Sequence, residues 1–530
     1  MASEHYIALP EWEYPPIGEP TGRKPDPHQK IQLTLLVRSA CPPKERRATI
    51  KSMALDLPGK RRYPTPQEFQ QVYGSACEDL QATAKFAESY GCRVVGTSQE
   101  RRWVTVSGTL SAIEKMLHIR FVEYREPSGT IFRGYEGQVE IPAFLAGVVD
   151  GFTGLTTRER VSHIGAAAPQ LPPPYVDTRD VARYYNFPRC TGKQQCVAVI
   201  LLGGGFHRAD LEHHFEQLGL PVPQVTVVDV HGATNDPASE VPFRRIWQSK
   251  DFGHATDQQM WTAEATSDIE LIGSFAPDAH IVVYFAPNTA SGKYRAFVEL
   301  LNDTRNNPTV VSCSWGTYEE TLPSGFFHAM DVNFELAAIR GITICVSSGD
   351  RGRGLDKNGR PRVQFPSSSP HSLSCGGTSL NLFAAHTTET GWYENTPFGQ
   401  LSTGHGLSRV FSRPVWQSRL EVQDDPARKH RIVPDVAGKA NIATGYCCST
   451  CGIQVPAGGT SAAAPMWAGL ITLMNEQLKT RTGLVTALLY EDAFREATKP
   501  VTDGHLGRWD PMSGLGPPDG MALLAALRGE

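Results

Sequence analysis

Gly458-Gly459-Thr460-Ser461-Ala462-Ala463-Ala464-Pro465 is the stretch on which the reading of this chain turns. Two glycines allow a backbone turn that other residues resist. Three alanines then start a helix, and a proline is tolerated near a helix start. The residues that follow, Met466-Trp467-Ala468-Gly469-Leu470-Ile471-Thr472-Leu473-Met474, are apolar on nearly every side, the mark of a buried helix. Ser461 thus stands at the mouth of a central helix, where the helix dipole favours developing negative charge. That suits a nucleophile, and a serine that only caps a helix would look the same. The decision passes to its partners, a base within reach and donors for an oxyanion.

Trp261-Thr-Ala-Glu264-Ala-Thr-Ser-Asp268-Ile-Glu-Leu271-Ile272-Gly273 supplies a candidate base. Trp261, Ala265, Ile269 and Ile272 recur at helical spacing. Glu264 and Asp268 are four residues apart and share one helix face. Two carboxylates so placed repel when both are ionised, which favours a shared or strongly perturbed proton. On a solvated helix the pattern would carry no meaning. Here the helix runs into the apolar stretch from Ala279 to Ala286, so it belongs to a core layer. The third piece is Gly341-Ile-Thr-Ile-Cys-Val-Ser-Ser-Gly349-Asp350. An apolar strand ends in Gly-Asp, and ligands of parallel sheets gather at such ends. Asp350 donates a hydrogen bond only when protonated, and an Asp after Gly also serves as a turn residue or helix cap.

The order Glu-xxx-Asp, Ser-Gly-Asp, Gly-Thr-Ser-xx-Ala-Pro resembles the sedolisin family of serine-carboxyl peptidases, most closely its kumamolisin-like members. The resemblance runs from about residue 30 to 528 and includes Tyr184-Tyr-Asn-Phe-Pro188, Gly203-Gly-Gly205, Gly232-Ala-Thr-Asn235, Tyr284-Phe-Ala-Pro-Asn288, Val311-Ser-Cys-Ser-Trp315-Gly316, Cys375-Gly-Gly-Thr378, Val433-Pro-Asp-Val-Ala-Gly438 and Trp509-Asp-Pro511. It implies that Ser461 is the nucleophile, Glu264 its general base, Asp268 the group that orients Glu264, and Asp350 the oxyanion donor beside the Ser461 N–H. A subtilisin-like enzyme would use a histidine base, and His231-Gly232-Ala233, lacking a following apolar helix, is a poor candidate. The acid that backs the general base in the family stands here as Leu201, while its tryptophan partner is kept as Trp315. Arg351 follows the oxyanion aspartate where a small residue is usual, and is expected to point into solvent. At about pH 4 an imidazole is protonated by roughly 300 to 1, whereas a glutamate is still partly ionised. The expected optimum is therefore acidic, about pH 3 to 5.

The chain has 530 residues, 40% of them hydrophobic, too many for one ordinary domain. Its net charge of −4 argues against nucleic-acid or polyanion partners. No apolar run reaches transmembrane length. Residues 1–28 are rich in proline and charge and are expected to be extended. Residues 29–157 read as a small α+β unit, with a strand from Ile31, helices from Thr65 and Glu78, a strand from Arg102 and a helix from Leu110 to Leu117. By resemblance this is a ferredoxin-like activation propeptide. Residues 158–178 form a proline-rich linker, expected to be cut by the enzyme itself within residues 160–175 and to occupy the cleft beforehand. Residues 179–530 alternate strands and helices, the pattern of a doubly wound parallel α/β sheet of subtilisin type.

The resemblance also implies one structural Ca²⁺, held by Glu496 and Asp510 with backbone carbonyls of Ala497, Leu506 and Arg508; oxygen donors suit that ion. Glu496 stands where an aspartate is usual. Among the 11 cysteines, Cys313, Cys345 and Cys375 lie in apolar strands and read as buried thiols. Cys190 and Cys196 could bridge, and a hairpin disulfide is expected in Cys447-Cys448-Ser-Thr-Cys451, where a thiolate metal site lacks ligands. Gln364 and the loop 351–362 are expected to line the cleft. The expected partners are peptide or protein substrates and the chain's own propeptide, in a monomer, with no membrane. The first ten residues show no secretory signal, at odds with the extracellular life the family implies. Two further readings stand beside the endopeptidase: a tripeptidyl exopeptidase and a catalytically impaired binding protein.

Overall fold

The computed structural model describes residues 5–10, 18–126, 129–158, 175–249, 256–355, 359, 361–384, 386–396, 399–422, 425, 427–498, 501 and 509–530. In the N-terminal part, strands β1 (Lys30–Val37), β2 (Arg93–Ser98), β3 (Trp103–Thr109) and β4 (Val149–Thr153) form a sheet in the order β2-β3-β1-β4. Every pair in it is antiparallel. Helices α1 (Pro43–Met53), α2 (Pro66–Tyr73) and α3 (Cys77–Ser89) lie between β1 and β2, and α4 (Leu110–Leu117) follows β3. Strand β3 buries Val104 and Val106 and half-exposes the residues between, the alternation a one-sided sheet requires. Leu80, Phe86, Ile113 and Met116 from α3 and α4 meet Leu33, Leu35, Val104 and Val106 across it. This is the ferredoxin-like unit that the sequence led us to expect.

Residues 1–28 are more than an extended lead. Tyr6–Ala8 pairs antiparallel with Glu140–Pro142, Glu19–Pro20 pairs with Tyr124 and Arg125, and Leu9 joins the same core. The linker and its processing region fall mainly in 159–174, outside the described residues. The chain resumes at Tyr175, and Val176 bridges in parallel to Tyr446.

The second sheet has eight strands. Its path is β6 (Val225–Asp229), β7 (His280–Phe285), β5 (Cys196–Leu201), β8 (Val310–Cys313), β9 (Thr343–Ser347), β10 (Leu373–Asn381) and β11 (Thr388–Gly391), with β12 (Val436–Lys439) also paired to β10. Only β11 runs antiparallel to its neighbour. Helices α5 (Arg208–Leu218), α6 (Asp257–Phe275) and α9 (Thr460–Leu478) cover one face; α7 (Ala290–Asn302) and α8 (Ser324–Ile339) cover the other. With helices on both faces, the central strands are buried throughout, as all six residues of β5 are.

The N-terminal unit docks on the α7–α8 face. Ile50, Ala54, Phe69 and Tyr73 join a core with Phe334, Leu336 and Ile339. Polar contacts surround it. Glu335 accepts from Arg46 Nε at 2.8 Å and Arg47 Nε at 2.9 Å, Arg101 pairs with Glu299 at 2.7 Å, and Arg102 donates to Asn333 at 2.6 Å.

All eleven cysteines are thiols, so the expected hairpin disulfide does not form. Cys447 and Cys448 are consecutive on a strand and point to opposite faces, and Cys451 turns at φ 51° to direct its Sγ at the Ala238 carbonyl. Cys190 likewise turns its Sγ to the Leu473 carbonyl at 3.6 Å. Among the described residues, no helix is long and apolar enough to cross a membrane.

Candidate active site

The glycine pair before Ser461 is demanded by space as well as by angle. A Cβ on Gly458 would lie 2.7 Å from the Ala440 carbonyl oxygen, and one on Gly459, which has φ 74°, would lie 2.5 Å from Asp350 Oδ2. Helix α9 begins at Thr460 directly after this turn, with Ser461 4% exposed. Its Oγ is buried with no hydrogen-bond partner among the described residues. Pro465 sits inside α9 rather than in its first turn. Lacking an N–H, it leaves the Ser461 carbonyl without its helical donor. The Ser314 hydroxyl stands 3.5 Å from that oxygen.

Ser314 directly follows β8, and its Oγ donates to Asp268 Oδ1 at 3.1 Å. One side chain therefore bridges α6 and α9, which pack directly together. A capping box fixes the start of α6: Gln259 N donates to Thr256 Oγ1, and Thr256 N to Gln259 Oε1. Glu264 is 6% exposed, and Asp268 is fully buried. Burial first, and the charge of Glu264 second, push the Asp268 carboxyl well above the usual carboxylate range. The pair therefore carries at most one charge in acid.

Asp350 lies just beyond the end of β9. Its Oδ1 accepts from Thr460 N at 2.8 Å and Thr460 Oγ1 at 2.7 Å, so it caps α9 while facing the turn that carries Ser461. Gln364 is 8% exposed and lays its carboxamide against Gly349, one residue before Asp350. Arg351 is exposed, as expected, and its backbone bridges to Ser402. Leu201 is buried in the apolar core beside Ala263 and Ala265. Trp261 covers Gly203 and Gly204, where any Cβ would strike its ring or backbone, and meets Trp315 edge-on at 5.9 Å. His231 is exposed in the turn after the edge strand β6. Thr460 and Ser314 are the functional side chains that the sequence reading quoted without giving them a role.

The chain matches the family model "Pro-kumamolisin, activation domain" over residues 21–158 and "Subtilase family" over residues 234–507. It is 33% identical over 527 residues to kumamolisin of Bacillus sp. (strain MN-32), covering 94% of this chain and 92% of that one. The chain belongs to the sedolisin family of serine-carboxyl peptidases. Tripeptidyl-peptidase sed5 of Aspergillus fumigatus is 24% identical to this sedolisin relative over 567 residues, 95% of this chain and 94% of its own. Pseudomonas sedolisin shares the fold at a TM-score of 0.55 and 24% identity, over 69% of this chain and all of that one. The subtilisin-like sheet and the preceding activation domain are thus family features.

Of the expected calcium ligands, Leu506 and Arg508 lie outside the described residues. Glu496 is exposed near the end of a short helical turn, and the Ala497 carbonyl accepts from Asp519 N at 2.8 Å. Asp510 Oδ1 accepts from Met512 N at 2.8 Å, Ser513 N at 3.0 Å and Ser513 Oγ at 3.2 Å. The donors are all oxygen, which fits a hard cation.

Proposed function

We propose that this family member is an acid-active endopeptidase, made as a zymogen that processes itself, and that Ser461 forms the acyl-enzyme. The observation that carries the reading is that side-chain hydrogen bonds link Asp350 to Thr460, and Asp268 through Ser314 to Ser461. Glu264 takes the proton from Ser461 Oγ as that oxygen attacks the scissile carbonyl. The protonated Asp268 supports Glu264 without competing for its charge. The oxyanion is held by the Ser461 N–H and by the Asp350 carboxyl. Because Oδ1 of Asp350 already accepts two hydrogen bonds, its proton belongs on Oδ2. Glu264 then protonates the leaving amine, and water repeats the sequence to release the acid.

The propeptide implies peptide substrates and an intramolecular inhibitor. We place the self-cleavage within 160–175. A structural calcium held by Glu496, Ala497, Leu506, Arg508 and Asp510 would fasten the C-terminal loop by neutralising its carboxylates, without a part in the reaction. The match to sed5 over nearly the whole chain favours a second reading, removal of tripeptides from free amino termini. An internally quenched peptide with a blocked amino terminus separates the readings at about pH 4. The endopeptidase cleaves it and Ser461→Ala does not. Cleavage of the unblocked peptide alone would make this an exopeptidase, and cleavage of neither would make it a binding protein.

A further inference from the structure

Lys293 is a buried cation that the catalytic scheme leaves unused. It lies in the first turn of α7, is 2% exposed, and its Nζ donates to the Trp315 carbonyl at 2.8 Å. An ammonium taken out of water onto one protein acceptor is costly, and such costs persist where function requires them. Burial lowers its pKa to about 8, so it remains charged throughout the acid range. Trp315 follows Ser314, whose hydroxyl reaches Asp268 Oδ1 and the Ser461 carbonyl. The Ser314–Trp315 segment is thus gripped from both faces of the sheet. Cys313 lies at the same place: its Sγ donates to the Trp315 carbonyl at 3.6 Å, and its thiol feels Lys293 as well as Asp268 and Glu264.

The other titratable groups around α7 are committed elsewhere. Tyr284 and His280 on β7 and Cys196 on β5 interact with Asp303 at the far end of the helix. On α8, Glu335 is held by Arg46 and Arg47. On α7 itself, Arg295 donates to Thr34, and Glu299 pairs with Arg101.

We propose that Lys293 is a positioning residue for the peptidase reaction, pinning the strand end that carries Ser314. This rests on the catalytic reading above. Lys293→Met removes donor and charge at nearly constant length. Its kcat is expected to fall roughly tenfold or more with KM held. The thermal midpoint should hold or rise, since a buried charge has gone. Ser314→Ala should reproduce the kcat loss, and the double variant should add little to it. An unchanged kcat in Lys293→Met overturns the proposal, and so does a loss of kcat accompanied by an equal rise in KM. If Lys293→Met does not fold, Lys293→Gln decides on the same kcat and KM. Ser461→Ala and Glu264→Gln run alongside. Activity surviving in these would sink the catalytic reading itself. Activity lost in them but unchanged in Lys293→Met would sink this inference alone.

Discussion

Asp350 accepts hydrogen bonds through one carboxyl oxygen and turns the other toward the Gly459 turn, and that division predicts how it answers substitution. Asp350→Asn would keep an acceptor for the two Thr460 bonds and present an N–H donor at every pH. Its oxyanion contact would no longer require a proton. We expect the alkaline limb of kcat/KM to extend toward neutral pH. The rate loss should be smaller than the roughly 10²–10³-fold cost of deleting an oxyanion donor, as in Asp350→Ala. A pH–rate profile checks this, and an unmoved alkaline limb would count against Asp350 as a proton-dependent donor. At this scale the candidate nucleophile and acids were named from sequence because the chemistry demands particular residue types in a particular order. Ser314 was not, because its role exists only in three dimensions. It lies 46 residues from Asp268 and 147 from Ser461 in sequence.

Helices α6 and α9 could be read from their long apolar patterns, and α4 from Leu110 to Leu117 matched residue for residue. Helix α1 could not. It is a polar segment that buries only Arg46 and Ile50, and it acquires a purpose by meeting α8. Helix α8 starts at Ser324, and its first turn buries Phe326 and Phe327 by contacts that periodicity alone does not reveal. The α1–α8 contact carries its own prediction. The side chains of Arg46 and Glu335 are 4% and 1% exposed, and a buried pair that loses one partner leaves a charge worth about 3–5 kcal/mol uncompensated. Glu335→Gln leaves the buried Arg46 without its counter-charge, while Arg47 stays in water. The zymogen should convert to the mature form faster and at higher pH than the wild type, as followed by gel electrophoresis over time. Equal conversion rates would mean that this contact does not hold the propeptide in place.

Across the whole molecule, burial raises the carboxyls of Asp268 and Glu270 far above the carboxylate range. The folded chain keeps protons on them that the unfolded chain releases. Their contribution to stability is complete below the unfolded values and is lost as pH rises through the folded ones. His214 acts oppositely. Burial lowers it to about 4, so its contribution is present above about 6.5 and is lost as pH falls toward 4. Calcium belongs to this scale as well. Chelation should lower the thermal midpoint of the mature enzyme, and calcium rather than magnesium should restore it, because a loop of carbonyls and carboxylates suits the larger ion. An unchanged midpoint would leave Glu496 and Asp510 without a part in metal binding. The parallel sheet was legible in outline, since parallel strands buried on both faces read as apolar runs. The pairing of β12 beside β10 was not, because nothing local in Val436–Lys439 names its neighbour. The most direct test is the pH dependence of kcat/KM for the mature enzyme on a peptide without ionisable groups near the scissile bond. A carboxylate base predicts a maximum between about pH 3 and 5 and decline by neutrality. Full activity at about pH 8 with none at about pH 4 would assign the proton transfer to an imidazole and contradict the account.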